Sequence, residues 1–170
     1  MSSPQEPMTA FADADVRNLI DEYCYHVMTA DADAWALTWA EDATWSVPGA
    51  GTMEGRGDIR RVFDEIRSTY AFCVQELLGL NIQIDRGGQR AETRCVVREL
   101  QWSKRDEQMV GSELIGVYED TVINSASGPV FSKRDFALLY SGPVDLTGRF
   151  HKAAFERSKY LSSDAERVKQ

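Results

Sequence analysis

The sequence predicts an α+β fold: a cone-shaped α+β barrel in which three N-terminal helices pack into a curved, mainly antiparallel sheet. Three observations predict it. Apolar residues recur at helical spacing in the early part of the chain, four long strand-like runs follow Ala71, and short polar links of hairpin type separate those runs. At 170 residues the chain is long enough for one domain with a real core and too short for two comfortable ones. Composition shifts at the ends divide it into a flexible N-terminus at 1–12, a folded domain at 13–142 and a charged tail at 143–170.

The opening "MSSPQEPM" is rich in Ser, Pro and Glu, too polar to bury itself, and is expected to fray. Val16, Leu19, Ile20, Tyr23, Val27 and Ala30 then share one stripe, the pattern of an amphipathic first helix. In "TADADAW" the Asp side chains offer caps for a short second helix around Trp35, Leu37 and Trp39. "EDATWSVP" has a strand pattern ended by Pro48, and "GAGTMEGRG" is expected to be flexible turn. Asp58 is the expected N-cap of a third helix whose apolar face carries Ile59, Val62, Phe63 and Ile66. After Ala71 the strands "FCVQELLGLNIQI", "QRAETRCVVRELQW", "ELIGVYEDTVI" and "VFSKRDFALLY" are joined by "DRGG", "SKRDEQ" and "NSASGP". Beyond residue 141 the strand pattern stops, and one short helix is expected in the tail. A curved sheet closed by helices leaves a hollow, where small ligands usually bind.

A formal net charge of −8 and a pI near 4.8 oppose non-specific binding to nucleic acid or anionic lipid, since such partners need a basic surface. No apolar run approaches the roughly 18 to 20 residues that span a bilayer, and the start lacks a signal-peptide layout, so a cytoplasmic protein is expected. Cys24, Cys73 and Cys95 sit among apolar or aromatic neighbours, where reduced, packed thiols lie; neither disulfides nor a nucleophilic Cys is expected.

"GAGTMEG" between strand and helix fails as a nucleotide loop, because its spacing is not GxGxxG and no Lys-Ser/Thr follows. Only His26 and His151 are present and no C-x-x-C occurs, so neither metal nor cofactor is expected. His26 follows Tyr23 by three residues at the edge of the core stripe: both side chains approach one end of a cavity, or His26 faces solvent beside Glu22. Gly116, Tyr118 and Asp120 share one face of their strand, as do Arg134, Phe136 and Leu138 on the next. A guanidinium amid apolar residues needs an anionic partner. Two answers are open for Arg134: a structural pair with Asp120, or stabilisation of negative charge developing on a substrate, toward which the reading leans.

The order of elements, together with "DADAWALTWAEDATW", "GRGDIRRVFDEI" and "GVYEDTVINSASGPVFSKRDFALLY", resembles the SnoaL-like branch of the nuclear transport factor 2-like superfamily, over roughly Asp13 to Tyr140. The resemblance implies the cone fold and leaves the reaction open, since one fold hosts many chemistries. Members such as scytalone dehydratase and hexachlorocyclohexane dehydrochlorinase remove a proton and a leaving group without a cofactor, using a His and Asp pair. The family Asp falls on Met28 and the family His on Gln75, neither of which accepts a proton near neutral pH. Asp31 matches a second acidic position, or else caps the second helix. Three pocket positions survive: Trp45 as an aromatic wall, Tyr118 as an inward site, and Arg134 as the arginine that helps a leaving group depart. The same correspondence implies that Cys73, Val96, Arg98, Leu114, Gly116, Phe136 and Leu138 line the cavity.

These residues support a lyase of dehydratase or retro-aldol, deformylating type, without cofactor, acting on a small aromatic or polycyclic, phenolic substrate in aromatic catabolism. Arg134 and Arg98 would hold developing negative charge, while Tyr23, His26 or Tyr118 exchanges the proton. Two alternatives stand beside it: a non-catalytic small-molecule binder or pathway accessory, and the structural β subunit of an aromatic-ring dioxygenase. The resemblance also implies a homo-oligomer, trimer or dimer, formed through outer sheet faces.

Overall fold

The structure, a computed structural model, describes residues 10–105, 107–145 and 149–150. The expected frayed start, the tail helix and His151 lie outside these residues. Helix α1 (Asp13–Thr29) buries Val16, Leu19, Ile20, Tyr23 and Val27 of the expected stripe and Cys24 besides, while Ala30 lies exposed just beyond its end. Acidic Asp13 and Asp15 sit in its first turn, where the helix dipole favours negative charge, and Asp15 accepts the Ala12 N–H at 2.7 Å. The helix ends at Ala30, which turns left-handed at φ 58°. Asp31 then caps α2 (Ala32–Ala36) by accepting the Ala34 N–H at 2.9 Å.

Strand β1 (Trp39–Val47) pairs antiparallel with β2 (Gly51–Glu54), so the stretch expected to be plain turn is itself a short hairpin arm. Helix α3 (Arg56–Arg67) starts at Gly55 rather than Asp58. Gly55 takes φ 84°, a conformation few other residues tolerate, and lets its own N–H reach the Ala43 carbonyl at 2.8 Å. Asp58 instead pairs with Arg61 in the first turn.

The long strands β3 (Phe72–Ile84), β4 (Arg90–Arg105), β5 (Gln108–Ser125) and β6 (Gly128–Gly142) form an antiparallel meander. The sheet runs β2-β1-β6-β5-β4-β3, with β1 parallel to β6; a two-residue β7 (Arg149–Phe150) also pairs β6. Bulges between Leu77 and Gly79, Ile115 and Gly116, and Thr121 and Val122 bend the long strands, so the sheet curves over the helices without closing. Alternation along β4 sorts its two faces. Ala91, Thr93, Cys95 and Val97 are buried on the concave side, while Arg90, Glu92, Arg94 and Arg98 face outward.

An aromatic cluster fills the space between helices and sheet. Trp35 stacks on Phe63 with centroids 3.9 Å apart, and Trp39, Trp45, Tyr23 and Phe131 meet edge-on or tilted around it. Each such pair contributes about 0.5 to 1.5 kcal/mol beyond area burial. All three cysteines are free and buried. No helix among the described residues is long and apolar enough to cross a membrane.

Candidate functional site

A cavity of about 370 Å³ opens between α1, α3, the β1–β2 turn and the concave face of β3 to β6. Trp45, Val47, Phe63, Ile66, Leu114 and Phe136 make its walls apolar. Phe136 lies over Gly116, where an added Cβ would meet the ring at 2.1 Å, so the absence of a side chain at 116 admits the ring. Trp45 is buried, and its indole N–H has no partner among the described residues.

The floor answers the question that Arg134 raises. Its side chain is 1 % exposed, its Nε donates to Asp120 Oδ1 at 2.8 Å and its Nη2 to Asp120 Oδ2 at 3.1 Å. Thr93 Oγ1 donates to the same carboxylate at 3.0 Å, and Nη2 also meets Cys95 Sγ at 3.4 Å. The guanidinium carbon lies 4.1, 4.0 and 4.1 Å from the ring centroids of Tyr23, Tyr118 and Phe131. Burial works against both charges. It lifts the Asp120 carboxyl above its usual range even against Arg134 and Thr93, whereas at Arg134 burial is the largest single influence but is outweighed by Asp120 together with Tyr23, Cys95 and Tyr118, which hold the guanidinium charged. The bidentate contact is that of an ion pair. Arg134 is therefore a structural partner of Asp120 beneath the cavity, a correction to the expectation that it faces a substrate directly.

Above that pair, the Tyr23 and Tyr118 hydroxyls meet at 3.3 Å and both rings border the cavity. Burial pushes both phenols up, Tyr23 further through its neighbour Tyr118, so each stays protonated at neutral pH; one O–H donates to the other oxygen, and the second can turn to a ligand.

A second polar group borders the cavity four residues along β4 from Cys95, about 13 Å at the rise of a strand. Gln75 Nε2 donates to Glu99 Oε2 at 2.9 Å, and the Gln101 amide donates to Glu99 Oε1. Gln75 is the strand partner of Glu99, and its own Oε1 is buried with no partner. Loss of water raises the Glu99 carboxyl above its usual range, against the hydrogen bonds of Gln101, Gln75 and Cys73 and the charge of Arg67. Arg67 donates to the backbone carbonyls of Val27 at 2.8 Å, Tyr70 at 3.0 Å and Met28 at 3.2 Å, tying α3 to the end of α1. Burial pushes the Cys24 thiol up to about 11 and raises Cys73 and Cys95 as well, so none is a thiolate near neutrality. Among the described residues no group of His, Cys, Asp and Glu is arranged to hold a metal.

Of the residues singled out from the sequence, Tyr23, Trp45, Cys73, Gln75, Leu114, Tyr118 and Phe136 all border this cavity. Others do not. His26 is half-buried on α1 with its ring against Tyr25 and is not part of the lining, and Met28 is 37 % exposed with only its carbonyl engaged. Val96 and Arg98 point outward. Their neighbours Cys95 and Glu99 pair with inward Tyr118 and Leu114, so strand alternation turns 96 and 98 to the outer face, where Arg98 meets Glu113 and Glu76. Gly116 lies under the Phe136 ring, and Leu138, its strand partner, falls outside the lining. The most consequential residue missed was Glu99. Its signal was the alternation itself, since the charges at 90, 92, 94 and 98 mark the outer face and leave the odd positions inward. Arg67 had a signal too: a charge on the apolar stripe of Ile59, Phe63 and Ile66.

Comparison with known proteins bears on the fold. The model of the SnoaL-like domain family matches residues 9–135. A candidate scytalone dehydratase from Novosphingobium aromaticivorans superposes with a TM-score of 0.70 at 17 % identity, over 81 % of this chain and 90 % of that one. Hexachlorocyclohexane dehydrochlorinase (LinA, type 2) gives 0.69 at 18 % identity, over 77 % and 87 %. The Kfla4162 protein from Kribbella flavida gives 0.68 at 18 % identity, over 78 % and 94 %. No curated protein matches the sequence.

Proposed function

This chain belongs to the SnoaL-like domain family, and on that premise we propose that it is a cofactor-independent lyase that breaks a bond in a small aromatic or polycyclic, phenolic molecule. The observation that carries the reading is the pair of neutral tyrosine hydroxyls facing an aromatic-walled cavity of about 370 Å³. That volume suits a ligand of one or two rings. Dehydration, loss of another leaving group and retro-aldol cleavage all gather negative charge on an oxygen of such a substrate. A hydrogen-bonded pair of phenols that stay protonated is suited to turn an O–H toward it. Arg134 acts through them as a positioning residue: its charge lies against both rings, favours electron density there and fixes their tilt. The likeness to proteins named as a dehydratase and a dehydrochlorinase supports the reaction class.

A second reading has one observation in its favour. The positions where relatives carry a proton-accepting pair hold Met28, whose side chain is partly exposed, and Gln75, an amide. A chain without that pair suits a binding protein.

A panel of phenolic and bicyclic aromatic compounds screened by thermal shift, then by product analysis, separates the two, because a ligand stabilises the state it binds. The lyase reading expects a bound compound to be cleaved and the rate to fall about 100-fold or more in Tyr118→Phe, which removes a donor and keeps the ring. Binding with no bond broken in any bound compound establishes the binder instead.

A further inference from the structure

We propose that Glu99 is the catalytic residue that takes a proton from the substrate, with Gln75 and Gln101 holding its carboxylate in register; this deepens the lyase reading above and rests on it. The geometry points to Glu99 for three reasons. It is the one carboxylate among the described residues that borders the cavity, whereas Asp120 below the floor is clamped by a guanidinium. Its two oxygens are each held by one amide N–H, at 2.9 Å from Gln75 and by the Gln101 amide, which aims the group without neutralising it. A carboxylate offers about four lone-pair sites, so with the Gln75 and Gln101 amides and the Cys73 thiol on it one remains for an incoming proton. Gln75 Oε1, buried and unpartnered in the same lining, offers an acceptor for a hydroxyl or N–H of the bound molecule beside the reacting C–H.

The step balances without any further reagent. A Glu99 oxygen takes the proton of a C–H next to an electron-withdrawing group. The pair left behind forms a π bond, and the leaving group departs with its own electron pair, accepting a hydrogen bond from Tyr118 or Tyr23. Glu99 then returns the proton to the leaving group or to water. The groups that act on Glu99 electrostatically are Arg67 from α3, Cys73 from β3, Tyr118 from β5, Tyr70 from the loop after α3, and Cys24 from α1. Of these only Arg67 carries a permanent charge, and three of its five N–H donors go to backbone carbonyls rather than to Glu99. Poor hydration of the carboxylate makes it a stronger base than one in water.

The test uses nitrobenzisoxazole, a small aromatic C–H acid that a lone base opens to a coloured cyano-nitrophenolate: the ring C–H proton goes to the base, its pair forms the nitrile, and the N–O bond breaks toward oxygen. Binding is read separately, by thermal shift with the same compound on the full chain. The proposal expects wild-type turnover, a loss of about 100-fold or more in Glu99→Gln with binding retained, and partial recovery of Glu99→Ala by added acetate. It also expects the wild-type rate to fall as pH drops through an inflection above the ordinary Glu value of about 4.3, a profile absent from Glu99→Gln. Binding without wild-type turnover, or equal turnover in Glu99→Gln, overturns the role of Glu99 and leaves the lyase reading standing. Failure of wild type to bind this probe and every phenolic compound overturns the cavity reading, and the proposal falls with it. If Glu99→Gln does not fold, Glu99→Asp and the acetate rescue decide: no rescue in a folded Glu99→Ala overturns the proposal.

Discussion

Two desolvated carboxylates, Asp120 buried and Glu99 half-buried, stand at opposite ends of one concave surface, and their neighbours make them different chemical objects. Asp120 meets a guanidinium in a bidentate contact and a threonine hydroxyl besides. Glu99 meets two amides and the Cys73 thiol, and no cation bonds to it among the described residues. In the first the two charges cancel, and among the described residues the Nη1 of Arg134 is left without a hydrogen-bond partner. In the second the charge is only steered. Burial raises both groups, but only at Glu99 does a carboxylate face the cavity with nothing bonded to it that neutralises it. The lesson is that a buried charge reads as structure or as chemistry according to its partner, not its burial.

The largest way to break this comparison is Arg134→Ala. Leaving Asp120 buried and alone is expected to cost about 3 to 5 kcal/mol in urea unfolding. A loss below about 1 kcal/mol would mean that Asp120 is reached by water and the floor is open. Gly116→Ala tests the wall between the two ends. Its methyl group collides with the Phe136 ring and is expected to cost about 1 to 3 kcal/mol, with a smaller cavity and weaker ligand binding. Unchanged stability and binding would show that the ring moves freely.

The smallest effect is the most discriminating. Glu99→Gln keeps the shape and removes a poorly hydrated charge, so its stability is expected to lie within about 1 kcal/mol of wild type near neutral pH. The sign follows from linkage. A carboxyl raised in the folded state adds stability below its unfolded pKa, and that contribution is lost as pH rises through the folded value. The variant lacks this term and should therefore gain on wild type as pH rises. A constant difference between pH 4 and pH 8 would mean that Glu99 titrates alike folded and unfolded. Asp120 carries the same sign of shift in both proteins and cancels from the comparison.

Much of the fold is legible along the chain because period reports burial. The stripe of α1, the cap at Asp31 and the four long strands all follow from local pattern and local chemistry. Where expectation slipped, a long-range partner was responsible. Gly55 starts α3 because its N–H finds the Ala43 carbonyl on β1, which nothing near Asp58 announces. The turn expected around Thr52 becomes β2 because Ser46 and Trp45 lie opposite Thr52 and Met53. At the site, aromatic positions 23, 45, 118 and 136 were identifiable, but 96 and 98 were assigned to the wrong face, since one step of register turns every side chain over. That step concealed Glu99.

By itself the chain determined the local period of each helix and long strand and the presence of a guanidinium that needs an anion. Only the tertiary structure decided which anion answers it. Asp120 and Arg134 stand directly opposite on neighbouring strands, a match that registers, bulges and curvature set together. Likewise, Glu99 acquires its setting from Gln75 on another strand and Arg67 on a distant helix. Desolvation, which gives a carboxylate its character, belongs to the assembled cavity and to no segment of sequence.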